Sequence, residues 1–100
     1  MRTSEDGDRR RLLIVEDDPD VMAAYRDLLA DPRVELEAAG SGLEGLARAL
    51  AFRPHAIILD VWLPGMDGFD LLRLLRAEPA VRGARVVFVT AQPGAAAADV

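Results

Sequence analysis

Asp60 closes an aliphatic run, Ala56-Ile57-Ile58-Leu59, after which the chain bends through Leu63-Pro64-Gly65-Met66-Asp67-Gly68. A strand that ends on an acid before a sharp turn presents that acid to something. Glu16-Asp17-Asp18 follow the apolar residues 12–15 in the same manner, and Thr90 follows the apolar residues 86–89. In an open parallel sheet, ligands bind beyond the carboxyl ends of the strands, near the point where strand order reverses. If the first and third of these strands are neighbours, Glu16, Asp17 and Asp60 converge.

Such convergence is costly. Two like charges about 4 Å apart repel by roughly 4 kcal/mol at an effective dielectric near 20. Protonation or a cation must offset it. With oxygen donors, no cysteine, and His55 at the far end of its strand, magnesium or manganese suits the set better than zinc. Magnesium held by one or two carboxylates keeps waters and recruits phosphate oxygens, so the expected chemistry is phosphoryl transfer. An aspartate beside such an ion can approach phosphorus in line, which makes Asp60 a candidate nucleophile. Thr90, on the next strand, is placed to donate to a phosphoryl group formed there.

The intervening residues supply the elements that would position these groups. Asp18 is a good N-cap with Pro19 at the first helical position, and Val21, Met22, Tyr25, Leu28 and Leu29 recur at helical spacing. Residues 34–39, VELEAA, alternate apolar with acidic as an edge strand does. Ser41 and Glu44 form a capping box, and Leu43, Leu46, Ala47 and Leu50 predict one inward stripe ended by Arg53-Pro54. Asp67 or Gly68 starts a third helix, with Leu71, Leu72, Leu74 and Leu75 as its core face. Pro64, Gly65 and Gly68 read as turn formers whatever the site does. His55 reads as a solvent-facing loop residue. The order βαβαβαβ, with continuous apolar strands, predicts an α/β fold whose parallel sheet is covered by helices on both faces.

Bulk properties narrow the class. One hundred residues suffice for one domain, and 51% hydrophobic with 29% charged residues is the balance of a soluble globular chain. The formal charge of −5 argues against direct nucleic-acid binding or an anionic membrane surface. The absence of cysteine removes disulfides and thiol chemistry. No apolar run approaches the roughly 18 residues a membrane span needs, so the chain reads as cytoplasmic. Residues 1–10, MRTSEDGDRR, read as a flexible tail and residues 11–100 as the domain.

The segments LLIVEDDPDV, IILDVWLPGMDG and VVFVTA, in this order and with thirty residues from Asp60 to Thr90, resemble the leading motifs of the response regulator receiver domain of two-component signalling. The resemblance, over residues 11–92, implies a flavodoxin-like, CheY-like fold with strand order 2-1-3-4-5. It also implies roles. Asp60 would be the phosphoacceptor, forming a 4-aspartylphosphate. Asp17 would ligate magnesium directly and Glu16 through water. Trp62 would lend its backbone carbonyl to the ion, and Thr90 would be the switch hydroxyl beside a small Ala91. The implied partner is a sensor histidine kinase or phosphotransfer protein, with a downstream output partner unnamed.

The chain departs from the family where a fifth strand carries a lysine. All twelve basic residues here are arginines, and the sequence stops at Val100. The expectation is therefore an incomplete receiver, lacking the fifth βα unit and truncated at its carboxyl end. Its fourth strand would be an exposed apolar edge and a route to dimers or aggregation. Two other functions fit less well. One is a receiver-like interaction domain that does not switch. The other is a metal-dependent phosphohydrolase using Asp60 covalently, disfavoured because Trp62 stands where a general acid would be needed.

Overall fold

The computed structural model describes residues 9–89. The strands are β1 (Arg10–Val15), β2 (Val34–Ala39), β3 (Ala56–Asp60) and β4 (Arg85–Val89). Between them run α1 (Pro19–Leu28), α2 (Gly42–Phe52) and α3 (Gly68–Ala77). The strands pair in parallel in the order β2-β1-β3-β4. The chain steps from β1 outward to β2, then crosses back over β1 to β3 and on to β4. Right-handed crossovers therefore put α1 on one face, and α2 and α3 together on the other. Thr90 lies outside the described residues.

Local chemistry sets the boundaries. The Asp18 carboxylate accepts from the backbone N–H groups of Asp20 (2.8 Å) and Val21 (3.4 Å), which caps α1. Ser41 Oγ accepts from the Glu44 N–H at 3.2 Å, and Glu44 reaches back to the Gly40 N–H at 2.8 Å. The box thus closes one residue earlier than the usual Ser-to-Glu reciprocity. Asp67 caps α3 by accepting from the Asp70 N–H at 2.8 Å. Strand β1 starts at Arg10, before the aliphatic run, because the Arg10 N–H donates to Arg33 O at 2.8 Å and extends the ladder.

The core lies under α2 and α3. Leu13, Val15, Ile57 and Leu59 are sealed there against Leu71, Leu75 and Val81. Each such burial contributes roughly 1.5–3 kcal/mol. Expected stripes on all three helices are corrected by the structure. In α2 the buried residues are Gly42, Gly45 and Ala49, while Leu43 is 71% exposed and Leu50 and Ala47 also face outward. The reason is distance: a Cβ on Gly45 would sit 3.0 Å from Val15 Cγ2 and 3.3 Å from Leu71 Cδ2. The helix lies so close to the sheet that only small residues fit beneath it. In α1 no residue is fully buried and Leu28 is 82% exposed, since it falls at the last turn and points away from the sheet. Leu74 of α3 likewise faces outward, beside the buried Leu71 and Leu75.

Gly45→Ala decides whether packing or propensity governs α2. Alanine gains about 1 kcal/mol of helix propensity, but overpacking costs about 1–3 kcal/mol. Urea unfolding is expected to show a net loss of roughly 0.5–2 kcal/mol. Gly83→Ala, where a Cβ meets nothing within 4 Å, is expected to be neutral or slightly stabilising.

Candidate metal-binding and phosphoryl site

The β1–β3 register builds the site. Val15 pairs with Leu59, so Glu16 and Asp60 leave the sheet side by side at the point where strand order reverses. Strand β1 is held one residue further by the Glu16 N–H, which donates to Ala39 O at 2.9 Å. Strand β4 flanks the other side, with Asp60 paired to Val89. Both acids are 4% exposed. Asp17, the next residue, is exposed, and its carboxylate turns to the same place: oxygens of Glu16, Asp17 and Asp60 all lie within 4.8 Å of one another. Asp18 is committed to capping α1.

Few donors face these oxygens. Glu16 Oε2 accepts from the Asp18 N–H at 3.1 Å, and Asp60 Oδ1 accepts from the Trp62 N–H at 3.1 Å. Glu16 Oε1 is buried with no hydrogen-bond partner. Burial raises the Glu16 carboxyl above its ordinary value; the Asp18 N–H opposes that, and the charges of Asp60 and Asp17 push the same way as burial. Tyr25, on α1, senses the same field: burial raises its phenol first, and the negative potential of Glu16 and Asp60 adds to the effect. A small divalent cation fits this set. Hard oxygens converge, the charge is uncompensated, and one buried oxygen lacks a partner.

The turn after Asp60 is equally constrained. The Val61 N–H donates to Val89 O at 3.1 Å, and the Gly68 N–H donates to Val61 O at 2.9 Å. A Cβ on Gly68 would lie 2.7 Å from the Asp60 carbonyl oxygen and 3.1 Å from Val61 Cα. Gly68 thus lets the start of α3 press against the backbone that carries Asp60. Its sequence signature is only that of a turn residue, so this positioning role is visible in three dimensions alone. The Trp62 indole is 57% exposed at the rim.

His55 sits at the opposite end of the sheet and takes no part in this site. It is not a free loop residue as expected. Its Nδ1 accepts from the Arg11 N–H at 2.9 Å, its own N–H donates to Arg11 O at 2.8 Å, and its carbonyl accepts from the Arg85 N–H at 3.0 Å. It ties β1 to β4 ahead of β3.

The geometry has known counterparts. The family model described as the response regulator receiver domain matches residues 12–99. The chain belongs to that family. The DNA-binding response regulator MtrA of Mycolicibacterium smegmatis is 34% identical over 84 residues, which are 84% of this chain and 36% of that relative. The response regulator PleD of Caulobacter vibrioides is 37% identical over 84 residues, 84% of this chain and 18% of that relative. The chain thus spans about a third or less of the length of these curated relatives. Among solved structures, the chemotaxis response regulator CheY4 of Vibrio cholerae superposes with a TM-score of 0.78 at 28% identity, covering 86% of this chain and 72% of that one. The N-terminal domain of a response regulator receiver protein from Methanoculleus marisnigri gives 0.76 at 29%, covering 85% and 69%. Fold and family agree with the sequence reading: an α/β receiver with the strand order expected for its first four strands.

Two substitutions test the electrostatics and the packing. Glu16→Gln, measured without divalent ions near neutral pH, is expected to raise the melting temperature, because it removes a buried charge that the fold disfavours. The sign follows from the raised carboxyl. The native state holds the Glu16 proton more tightly than the unfolded chain, so this contribution favours folding most below the ordinary value of 4.5 and is lost as pH rises through the folded value. In the Gln variant that part of the pH dependence disappears. Gly68→Ala is expected to destabilise by about 1–3 kcal/mol, because backbone rather than a pliant side chain must move.

Proposed function

We propose that residues 11–100 act as a phosphoacceptor receiver module in a two-component phosphorelay, with Asp60 taking a phosphoryl group from a phosphohistidine on a sensor histidine kinase or phosphotransfer protein. The observation that carries this reading is the convergence of Glu16, Asp17 and Asp60 within 4.8 Å at the switch point of a receiver fold.

Mg²⁺, or Mn²⁺ in its place, would be held by Asp17 and Asp60 directly, by Glu16 through water and by the Trp62 backbone carbonyl. When bound, the ion supplies charge neutralisation of the carboxylates and of the incoming phosphoryl oxygens. The protein's own groups do the rest. The Trp62 N–H engages Asp60 Oδ1 and fixes the carboxylate plane, leaving Oδ2 as the attacking oxygen. An Asp60 oxygen bonds to phosphorus as the phosphorus–nitrogen bond of the donor breaks, and the departing imidazole takes up a proton. Asp60 becomes an acyl phosphate. Thr90 is assigned the hydroxyl that reports this state to the surface. The buried wall formed by Leu59 and Val15 behind the site keeps the acids oriented toward the rim.

In this reading the chain is a signalling acceptor rather than a turnover enzyme, acting in the cytoplasm on an output partner that the relatives do not define. Among the described residues no helix is long and apolar enough to cross a membrane. A second reading is a receiver-like interaction domain that does not switch; none of the 100 residues given is a lysine whose side chain could pair with the phosphoryl group.

Incubation with Mg²⁺ and a small phosphodonor is expected to add one phosphoryl mass to the chain and none to Asp60→Asn. A folded chain that gains nothing supports the interaction domain, and a gain retained in Asp60→Asn would place the acceptor elsewhere. Titration with Mg²⁺ alone is expected to change the fluorescence of Trp62, which stands at the rim, and to raise the melting temperature. Asp17→Asn should weaken that response at least tenfold, the effect of losing one charged ligand.

A further inference from the structure

The end of the sheet opposite the carboxylates carries a second site that the phosphoacceptor reading does not use. Where β1, β3 and β4 begin, a cleft of about 700 Å³ opens, which lies within the roughly 300–1,000 Å³ of small-molecule sites. Arg10, Arg11, Arg53 and Arg85 line it with His55, and among the described residues no acid does. One third of the arginines of a chain with net charge −5 therefore meet in one place.

The arginines are not equivalent. Arg11 Nε is spent on the carbonyls of Phe52 (3.0 Å) and Arg53 (2.9 Å), where it satisfies the carboxyl end of α2. Among the described residues, Arg10, Arg53 and Arg85 form no ion pair, whereas Arg33, Arg48 and Arg73 each find an acid. Arg53 also holds a left-handed backbone, φ 53°, at the C-cap of α2, a position that favours glycine. An arginine there spends backbone strain to keep a guanidinium at the cleft. The floor is apolar, formed by Leu12 with the buried Val81 and Ala84. His55 stiffens the mouth by linking β1 to β4 through its ring and backbone.

We propose that this cleft binds a small molecule carrying two or more adjacent phosphates together with an apolar ring, the chemistry of a nucleoside di- or triphosphate. Guanidinium forks match phosphate oxygens in pairs, and three of them around one opening complement a polyanion better than a single carboxylate. The apolar floor takes the ring. The site lies at the opposite pole of the sheet from Asp60, so occupancy does not compete with phosphoryl transfer.

Calorimetric titration at low salt with EDTA tests this, since without divalent ions the carboxylate pole repels the same probes. Inorganic pyrophosphate and ATP are expected to bind saturably with one site per chain, ATP more tightly because its base covers the floor. Arg53→Glu and Arg85→Glu, both at exposed side chains, should each weaken binding at least tenfold while leaving the unfolding transition in place. Neither probe binding, or binding that ignores both substitutions, would overturn the proposal. So would binding that appears only after removal of residues 1–8, which carry Glu5, Asp6 and Asp8 and would then be the occupant.

Discussion

Three carboxylates held within 4.8 Å of one another are the constraint around which this chain is arranged. Left to themselves, Glu16, Asp17 and Asp60 repel by a few kcal/mol per pair even at an intermediate dielectric. The forces that keep them together are not local. The β1–β3 pairing fixes Glu16 beside Asp60, and the buried aliphatics behind them resist any slippage of that register. A shift of one residue would exchange the side chains between two packed faces whose shapes differ, and the close packing on each would be lost. The hydrophobic core therefore supplies the energy that holds the acids in an unfavourable cluster. Among the described residues, two backbone N–H groups, those of Asp18 and Trp62, relieve it from within. The resulting field reaches as far as the Tyr25 phenol on the neighbouring helix.

That division of labour explains which features could be read from the sequence. The meeting of Glu16, Asp17 and Asp60 required β1 and β3 to be neighbours, an order that the family resemblance supplied and the structure shows; strand ends and caps follow from short apolar runs and capping residues. Each of those leaves a local trace. The faces of the helices leave a weaker one. Leu43 and Leu50 mark the more apolar stripe of α2, yet Gly42, Gly45 and Ala49 form the buried one. Periodicity ranks faces by hydrophobicity, whereas the structure selects by the space available above Val15. Gly68 and His55 escaped for a related reason. One permits backbone-to-backbone approach at Asp60, and the other completes a ladder between strands distant in sequence; neither relation has a periodic signature. Thr90, placed by resemblance, lies outside the described residues.

A parallel sheet has two chemically distinct ends, and this chain assigns opposite charge to them. The carboxyl end gathers Glu16, Asp17 and Asp60, while the amino end gathers Arg10, Arg53 and Arg85. The net charge of −5 conceals that polarity. In an antiparallel sheet the two kinds of strand end would alternate along each edge and the charges would intermingle. Here topology separates them by the length of a strand, five or six residues, or roughly 17–20 Å. That distance exceeds the Debye length of about 8 Å at physiological ionic strength, so the two clusters do not neutralise each other through solvent. Among the described residues, neither pole supplies the counter-charge of the other. The acidic pole fits a small hard cation, because its oxygens converge and one of them is buried without a partner. The basic pole is wider, floored by aliphatic side chains and edged by planar guanidinia, which suits an extended anion instead. The same four parallel strands thus present two ends whose fitting ligands differ in sign, size and shape.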